Sequence, residues 1–176
     1  MSNRKDLTAI AILAVIFLGG IWISYQLNTD FGLLDVDTIS IPAGDLQLSG
    51  LLYRPSEAHP DNPRPAVVLT HGISSSKESV SCIALELARR GIVSLAFDLL
   101  GHGDSEGGLG MADPSMGMNA AVVYVGSLLY VDRGLVGVVG HSLGAGAARA
   151  TAFTKDIAAS AFIGGGTGGN IARREL

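Results

Sequence analysis

The sequence predicts an α/β domain, a mostly parallel sheet with helices on both faces, preceded by one transmembrane helix. Three observations carry that expectation. Apolar runs of strand length recur at Ala66–Thr70, Ile92–Phe97, Leu135–Val139 and Ile157–Ile163, and helix-length segments separate them. Continuous rather than alternating apolar runs are what strands covered on both faces require. Strands alternating with helices build right-handed βαβ units. The third observation is a charge-free stretch of 21 residues, Leu7–Leu27.

That stretch would span roughly 31 Å as a helix, against a hydrocarbon core of about 30 Å. Arg4 and Lys5 precede it, Trp22 and Tyr25 lie toward its far end, and Asp30, Asp35 and Asp37 follow. Basic residues before a span favour a cytoplasmic N-terminus, and aromatic rings favour the headgroup region. The expected organisation is therefore a cytoplasmic segment 1–6, a transmembrane helix 7–27, a juxtamembrane linker 28–35 and a domain 36–176 outside the cytoplasm. A cleaved signal peptide shares the basic start and the apolar run. The length of the run, and the lack of a convincing small-residue cleavage site after it, favour the anchor.

Composition excludes other classes. With 48% apolar and 16% charged residues, the chain is neither collagen-like nor disordered. Removing the apolar span leaves about 155 residues, enough for one core. One cysteine, Cys82, excludes an intramolecular disulfide framework and any cysteine-rich zinc site; it reads as a small packing residue. A net charge of −4 without a Lys/Arg patch argues against nucleic acid as a partner.

Within the domain, Val36–Ile41 and Leu46–Tyr53 read as a hairpin around Pro42-Ala43-Gly44-Asp45. A proline-rich loop, Ser56 to Pro65, leads into the first continuous apolar run. Ser75-Ser76-Lys77-Glu78 fits a capping box, with Val80, Ile83, Ala84, Leu87 and Ala88 forming one apolar stripe behind it. Arg89-Arg90-Gly91 supplies last-turn cations and a terminating glycine. A glycine-rich loop runs from Leu99 to about Gly110. Asp113-Pro114 opens a helix with Met118, Ala121, Val122, Val125 and Leu129 on one face, and Ser142 to Thr154 forms another. The tail after Ile163, with five glycines between Gly164 and Gly169, reads as loop.

Gly140-His141-Ser142-Leu143-Gly144 is G-x-S-x-G, directly after an apolar strand and directly before a helix. Such a turn forces one side chain into a strained, exposed conformation, and flanking glycines avoid collision with nearby backbone. Ser142 then lies at a helix N-terminus, where free N–H groups favour developing negative charge. His71-Gly72-Ile73 follows Ala66–Thr70 at the edge where a second backbone donor is needed. Acyl transfer requires two N–H groups aimed at the nascent oxyanion; those of Leu143 and Ile73 are the candidates. His71 reads as a structural anchor of its loop. A nucleotide-binding reading fails because neither G-x-x-x-x-G-K-[ST] nor G-x-G-x-x-G is present.

The third element is Asp98-Leu-Leu-Gly101-His102-Gly103-Asp104-Ser105. Together with His71-Gly72 and Gly140-His141-Ser142-Leu143-Gly144 it resembles the α/β-hydrolase superfamily, most of all its lipase, esterase and serine-aminopeptidase-like members, over roughly residues 36 to 165. The resemblance implies a serine hydrolase with Ser142 as nucleophile, acting on a small-molecule or lipid-like acyl substrate. It implies that Asp98, Gly101, His102 and Gly103 shape a loop beside the site, outside the catalytic triad. Neither a metal, for which His102, Asp104 and Glu106 make a poor set, nor an organic cofactor is expected.

The family's triad runs serine, acid, histidine along the chain. After Ser142 only Asp156 and Glu175 are acids, and the four histidines, His59, His71, His102 and His141, all precede it. The resemblance therefore covers the first six strands and lacks those that would carry the acid and base. Three explanations stand: an incomplete chain, completion by a second polypeptide, or a non-catalytic binding or scaffold domain. The first is favoured because a sheet ending there exposes an apolar edge, so the chain alone is expected to be poorly active.

Overall fold

The computed structural model describes residues 2–108, 110 and 113–165. The first element is α1 (Ser2–Asn28), whose apolar side chains from Leu7 to Leu27 all face outward. It is the one described helix long and apolar enough to cross a membrane. A 3-10 turn, Asp30–Gly32, links it to the sheet.

Six strands follow: β1 (Leu34–Ala43), β2 (Leu46–Pro55), β3 (Arg64–Thr70), β4 (Val93–Phe97), β5 (Val131–His141) and β6 (Ala159–Ile163). Their order in the sheet is β1-β2-β4-β3-β5-β6. The hairpin pairs antiparallel, and β2 meets β4 antiparallel; the remaining pairings are parallel. The helices α2 (Glu78–Ala88), α3 (Pro114–Ser127) and α4 (Leu143–Thr154) supply the crossovers.

Because successive strand residues face opposite ways, each central strand feeds two cores. Val68, Leu95 and Val138 pack with Met118, Ala121 and Val125 of α3 and with Ala147 and Ala148 of α4. Leu69 and Ala96 pack with Val80, Ala84 and Ala88 of α2 on the other face. The expected α/β architecture, a mostly parallel sheet with helices on both faces, is present.

Several local expectations are corrected. The expected linker ends early, since Leu34 and Asp35 already belong to β1. No serine cap starts α2: the helix begins at Glu78 with Lys77 at the cap position and no side-chain cap bond. Cys82 is exposed rather than packed. Leu129, expected on the buried face of α3, lies beyond the helix end and is 79% exposed, because Leu128 turns to extended backbone. β5 reaches back to Val131, while β6 starts only at Ala159. The glycine-rich tail lies outside the described residues from position 166 onward. Among the described residues β6 is an edge of the sheet, with its outward positions and Ile163 exposed.

Candidate active site

Ser142 occupies the corner between β5 and α4 at φ 52°, ψ −111°, a left-handed conformation that non-glycine residues rarely hold. Its side chain is exposed above the carboxyl end of the sheet. The corner is tight. A Cβ at Gly140 would overlap the Gly144 carbonyl and reach 2.6 Å from the Ala145 nitrogen. A Cβ at Gly144 would come within 2.6 Å of both the His71 carbonyl and the Thr70 methyl. Two backbone bonds tie the corner to β6 and to the residue after β3: Ser142 N–H donates to Ile163 O (2.8 Å) and Gly144 N–H to His71 O (3.1 Å).

The second bond brings the loop after β3 against the corner. A Cβ on Gly72 would lie 3.0 Å from both the Ser142 Cβ and the His141 Nδ1. Glycine therefore allows the 71–73 segment to lie directly beside the serine. Ile73, next in the chain, is 68% exposed. Leu143 is the first residue of α4, where an N–H has no acceptor within the helix. The fold thus brings Ser142, Leu143 and the Ile73 loop together.

His71 is fully buried, and both its nitrogens are committed. Nε2 accepts the Leu99 N–H at 3.1 Å, so the proton sits on Nδ1, which donates to Gly72 O at 2.7 Å. Burial pushes its pKa below the ordinary value, outweighing the Gly72 bond and nearby Asp98. With Nε2 acting as an acceptor, its 3.7 Å approach to Asp98 Oδ1 is a contact between a neutral ring and a carboxylate, not an ion pair.

Asp98 is equally buried and organises the loop after β4. It accepts the Lys77 backbone N–H (2.6 Å), the Lys77 ammonium (2.7 Å) and the Asp104 N–H (3.0 Å). Asp104 Oδ2 accepts the same ammonium at 2.7 Å. Burial alone would depress Lys77, but its bonds to Asp104 and Asp98 more than offset this and hold it above the usual lysine value. Gly103, at φ 51°, is required here because a Cβ would overlap the Asp98 carboxylate. Gly101, also at positive φ, donates its N–H to Glu106 O at 2.8 Å. His102 directs Nδ1 to Leu100 O (3.2 Å) and stacks obliquely 5.4 Å from His71, while its Nε2 is buried with no partner among the described residues. Lys77 was missing from the candidates read in the sequence. Its only local signal was a position six residues after His71, within a segment that resembled a helix cap.

Among the described residues no histidine is hydrogen-bonded to Ser142. His59 pairs with Asn62 in the loop before β3, at the opposite end of the sheet. Asp156 lies between α4 and β6, also at that far end, where it lines a cleft of about 400 Å³ with Phe153 and Phe162.

Residues 61–172 match the Hydrolase_4 family model, described as serine aminopeptidase, S33. The chain is 29% identical over 119 residues to the quorum-quenching protein AidA of Acinetobacter baumannii (strain MDR-ZJ06), covering 65% of this chain and 38% of that protein. Its fold is similar to that of hypothetical protein PA2218 from Pseudomonas aeruginosa, with a TM-score of 0.65, 29% identity, and coverage of 74% of this chain and 42% of that one. The Pyrococcus furiosus esterase Pf2001 shares the fold at a TM-score of 0.61 and 24% identity, covering 72% and 51% respectively. The chain thus spans about half or less of the length of these relatives. By its family match and its fold, the chain belongs to the serine aminopeptidase S33 family of α/β hydrolases.

Proposed function

We propose that the chain carries the nucleophile of a membrane-anchored serine hydrolase cleaving ester, thioester or amide bonds through an acyl-enzyme on Ser142. The observation that carries this reading is Ser142 itself: strained at φ 52°, exposed, at a helix N-terminus and beside the Gly72-Ile73 backbone. Ser142 Oγ bonds to the substrate carbonyl carbon and gives its proton to a base. The Leu143 and Ile73 N–H groups take the oxyanion, and collapse of the adduct expels an alcohol, thiol or amine. His71 holds its loop and supplies no base, since both nitrogens are occupied. Among the described residues no histidine is hydrogen-bonded to Ser142 to act as that base, and α1 is assigned as a retained anchor with a cytoplasmic N-terminus.

A non-catalytic binding domain is the second reading, favoured by the absence of a hydrogen-bonded histidine at Ser142 among the described residues. A fluorophosphonate probe separates the two, applied to the 176-residue chain and to the chain extended through its downstream reading frame. Labelling of the extended form, lost in Ser142→Ala, is expected, with p-nitrophenyl acetate turnover much weaker in the short form. Labelling that survives Ser142→Ala would move the nucleophile elsewhere. No labelling of either form would leave the binding domain. Full turnover by the short chain, lost on substituting His59, His71 or His102, would show that the base lies within it.

A further inference from the structure

The junction between α1 and the sheet is bonded rather than loose. Thr29, buried, caps the helix by donating its N–H and its hydroxyl to Tyr25 O, each at 3.0 Å. Its own carbonyl accepts the Leu34 N–H at 2.9 Å, and Ser56 N–H donates to Leu33 O at 2.9 Å. From the end of α2, Arg89 donates to the Leu27 carbonyl and to Asp30 Oδ1, both at 3.2 Å. Six residues after the span, the chain is already the first strand.

The place of this junction in the sheet follows from register. Leu34 pairs with Pro55, one residue beyond Arg54, and β2 runs antiparallel to β4 with Tyr53 opposite Ser94. Pro55 therefore lies at the amino end of β4. Arg64 at the start of β3 bonds Gly91 O ahead of β4 and Tyr130 O ahead of β5, so the same edge holds the starts of all three parallel strands. Ser142, His71 and Asp98 follow the other ends of those strands. The seven-residue β3 at about 3.3 Å per residue puts roughly 20 Å between the two edges. Two large apolar side chains, Phe31 (68% exposed) and Leu33 (61%), stand at the anchor edge immediately after the span and cover no core.

Resting on the reading of α1 as a retained anchor, we propose that residues 27–34 and Arg89 form a fixed mount whose partner is the bilayer surface. Phe31 and Leu33 seat in the headgroup region of the leaflet that α1 leaves. The Ser142 edge then faces away from the lipid, and the site takes acyl compounds dissolved in water rather than lipids resident in the same bilayer. Continuity supplies the occupant: Phe31 and Leu33 follow the end of α1 by three and five residues, and apolar side chains that close to a span meet the leaflet it exits.

The test uses the full chain in phospholipid vesicles, with Cys82→Ser removing the exposed thiol and a single cysteine introduced by Leu33→Cys or Ile73→Cys. Each carries a bimane fluorophore. Nitroxide-bearing lipids should quench the probe at position 33 several-fold more than that at 73, and aqueous iodide should show the reverse order. Equal lipid quenching at both positions, in protein that resists alkaline carbonate extraction, would overturn the orientation while leaving the anchor standing. Release by carbonate with no lipid quenching at either position would overturn the anchor and the mount together.

Discussion

The Asp98 carboxylate accepts both the backbone N–H and the side-chain ammonium of Lys77, at 2.6 and 2.7 Å, so one side chain caps α2 from 21 residues away and buries its own countercharge. That link holds the loop after β4 to the loop after β3, and the latter carries Gly72 and Ile73 to Ser142. A buried pair of this kind contributes little against an apolar replacement, yet breaking one side leaves an uncompensated charge.

Lys77→Met should therefore cost about 3–5 kcal/mol of stability, because Asp98 loses its countercharge in a dry site. Lys77→Met combined with Asp98→Asn should cost less than the sum of the two single substitutions, by about 1–3 kcal/mol. Urea denaturation of the four proteins checks this. Additive effects would mean that the pair is not energetically coupled.

Glycines in the corner and in the helix behind it should respond in opposite directions. Gly144→Ala places a Cβ 2.6 Å from the His71 carbonyl and should destabilise by several kcal/mol or prevent folding. Gly146, one turn into α4, faces open space. Gly146→Ala should stabilise by about 0.5–1 kcal/mol through helix propensity and a less disordered unfolded chain. Thermal midpoints of the two variants give the answer.

Ser142→Gly should raise stability by about 1 kcal/mol, since glycine accepts φ 52° without strain. The same substitution removes the hydroxyl and should abolish fluorophosphonate labelling. A stability gain accompanied by loss of labelling would be the sign of strain held for chemistry. A loss of stability would show that the serine is not strained.

His71 sets a pH dependence. Its folded pKa lies below the ordinary 6.5 because burial disfavours the imidazolium. The unfolded chain then binds the proton more readily, so this contribution is complete above about pH 6.5 and is lost as pH falls toward the folded value. Urea midpoints should drop between pH 7.5 and 5, and His71→Gln should flatten the drop. An unchanged slope in that variant would exclude His71 as its source.

The parallel core was legible because Ala66–Thr70 and Ile92–Phe97 each lack polar alternation, a pattern that local sequence displays directly. The corner at Ser142 was legible for a similar reason, as two glycines at fixed spacing mark a place where no Cβ fits. The start of α2 was not. Ser75 satisfies the local capping rule, but the donor at Lys77 is claimed by a carboxylate from another loop, and nothing within the helix segment signals that. Lys77 escaped notice because lysines are ordinarily solvent-facing, and its burial depends on two aspartates that only the fold brings near. Leu129 kept the helical period on paper, yet the backbone leaves the helix at Leu128 to begin β5 at Val131.

The sheet order has a consequence for how long the site persists during partial opening. β3 is flanked by β4 and β5, and the three loops that meet around Ser142 all spring from these interior strands. Amides at the centre of such a sheet exchange their hydrogens only when the whole domain opens, whereas edge strands such as β1 and β6 exchange through local fraying. The spacing between Gly72 and Ser142 is thereby tied to the slowest-exchanging amides in the chain. Fraying of β1 leaves that spacing untouched, whereas fraying of β6 removes the Ser142 N–H bond to Ile163 O and leaves the Gly144 N–H bond to His71 O to hold the corner.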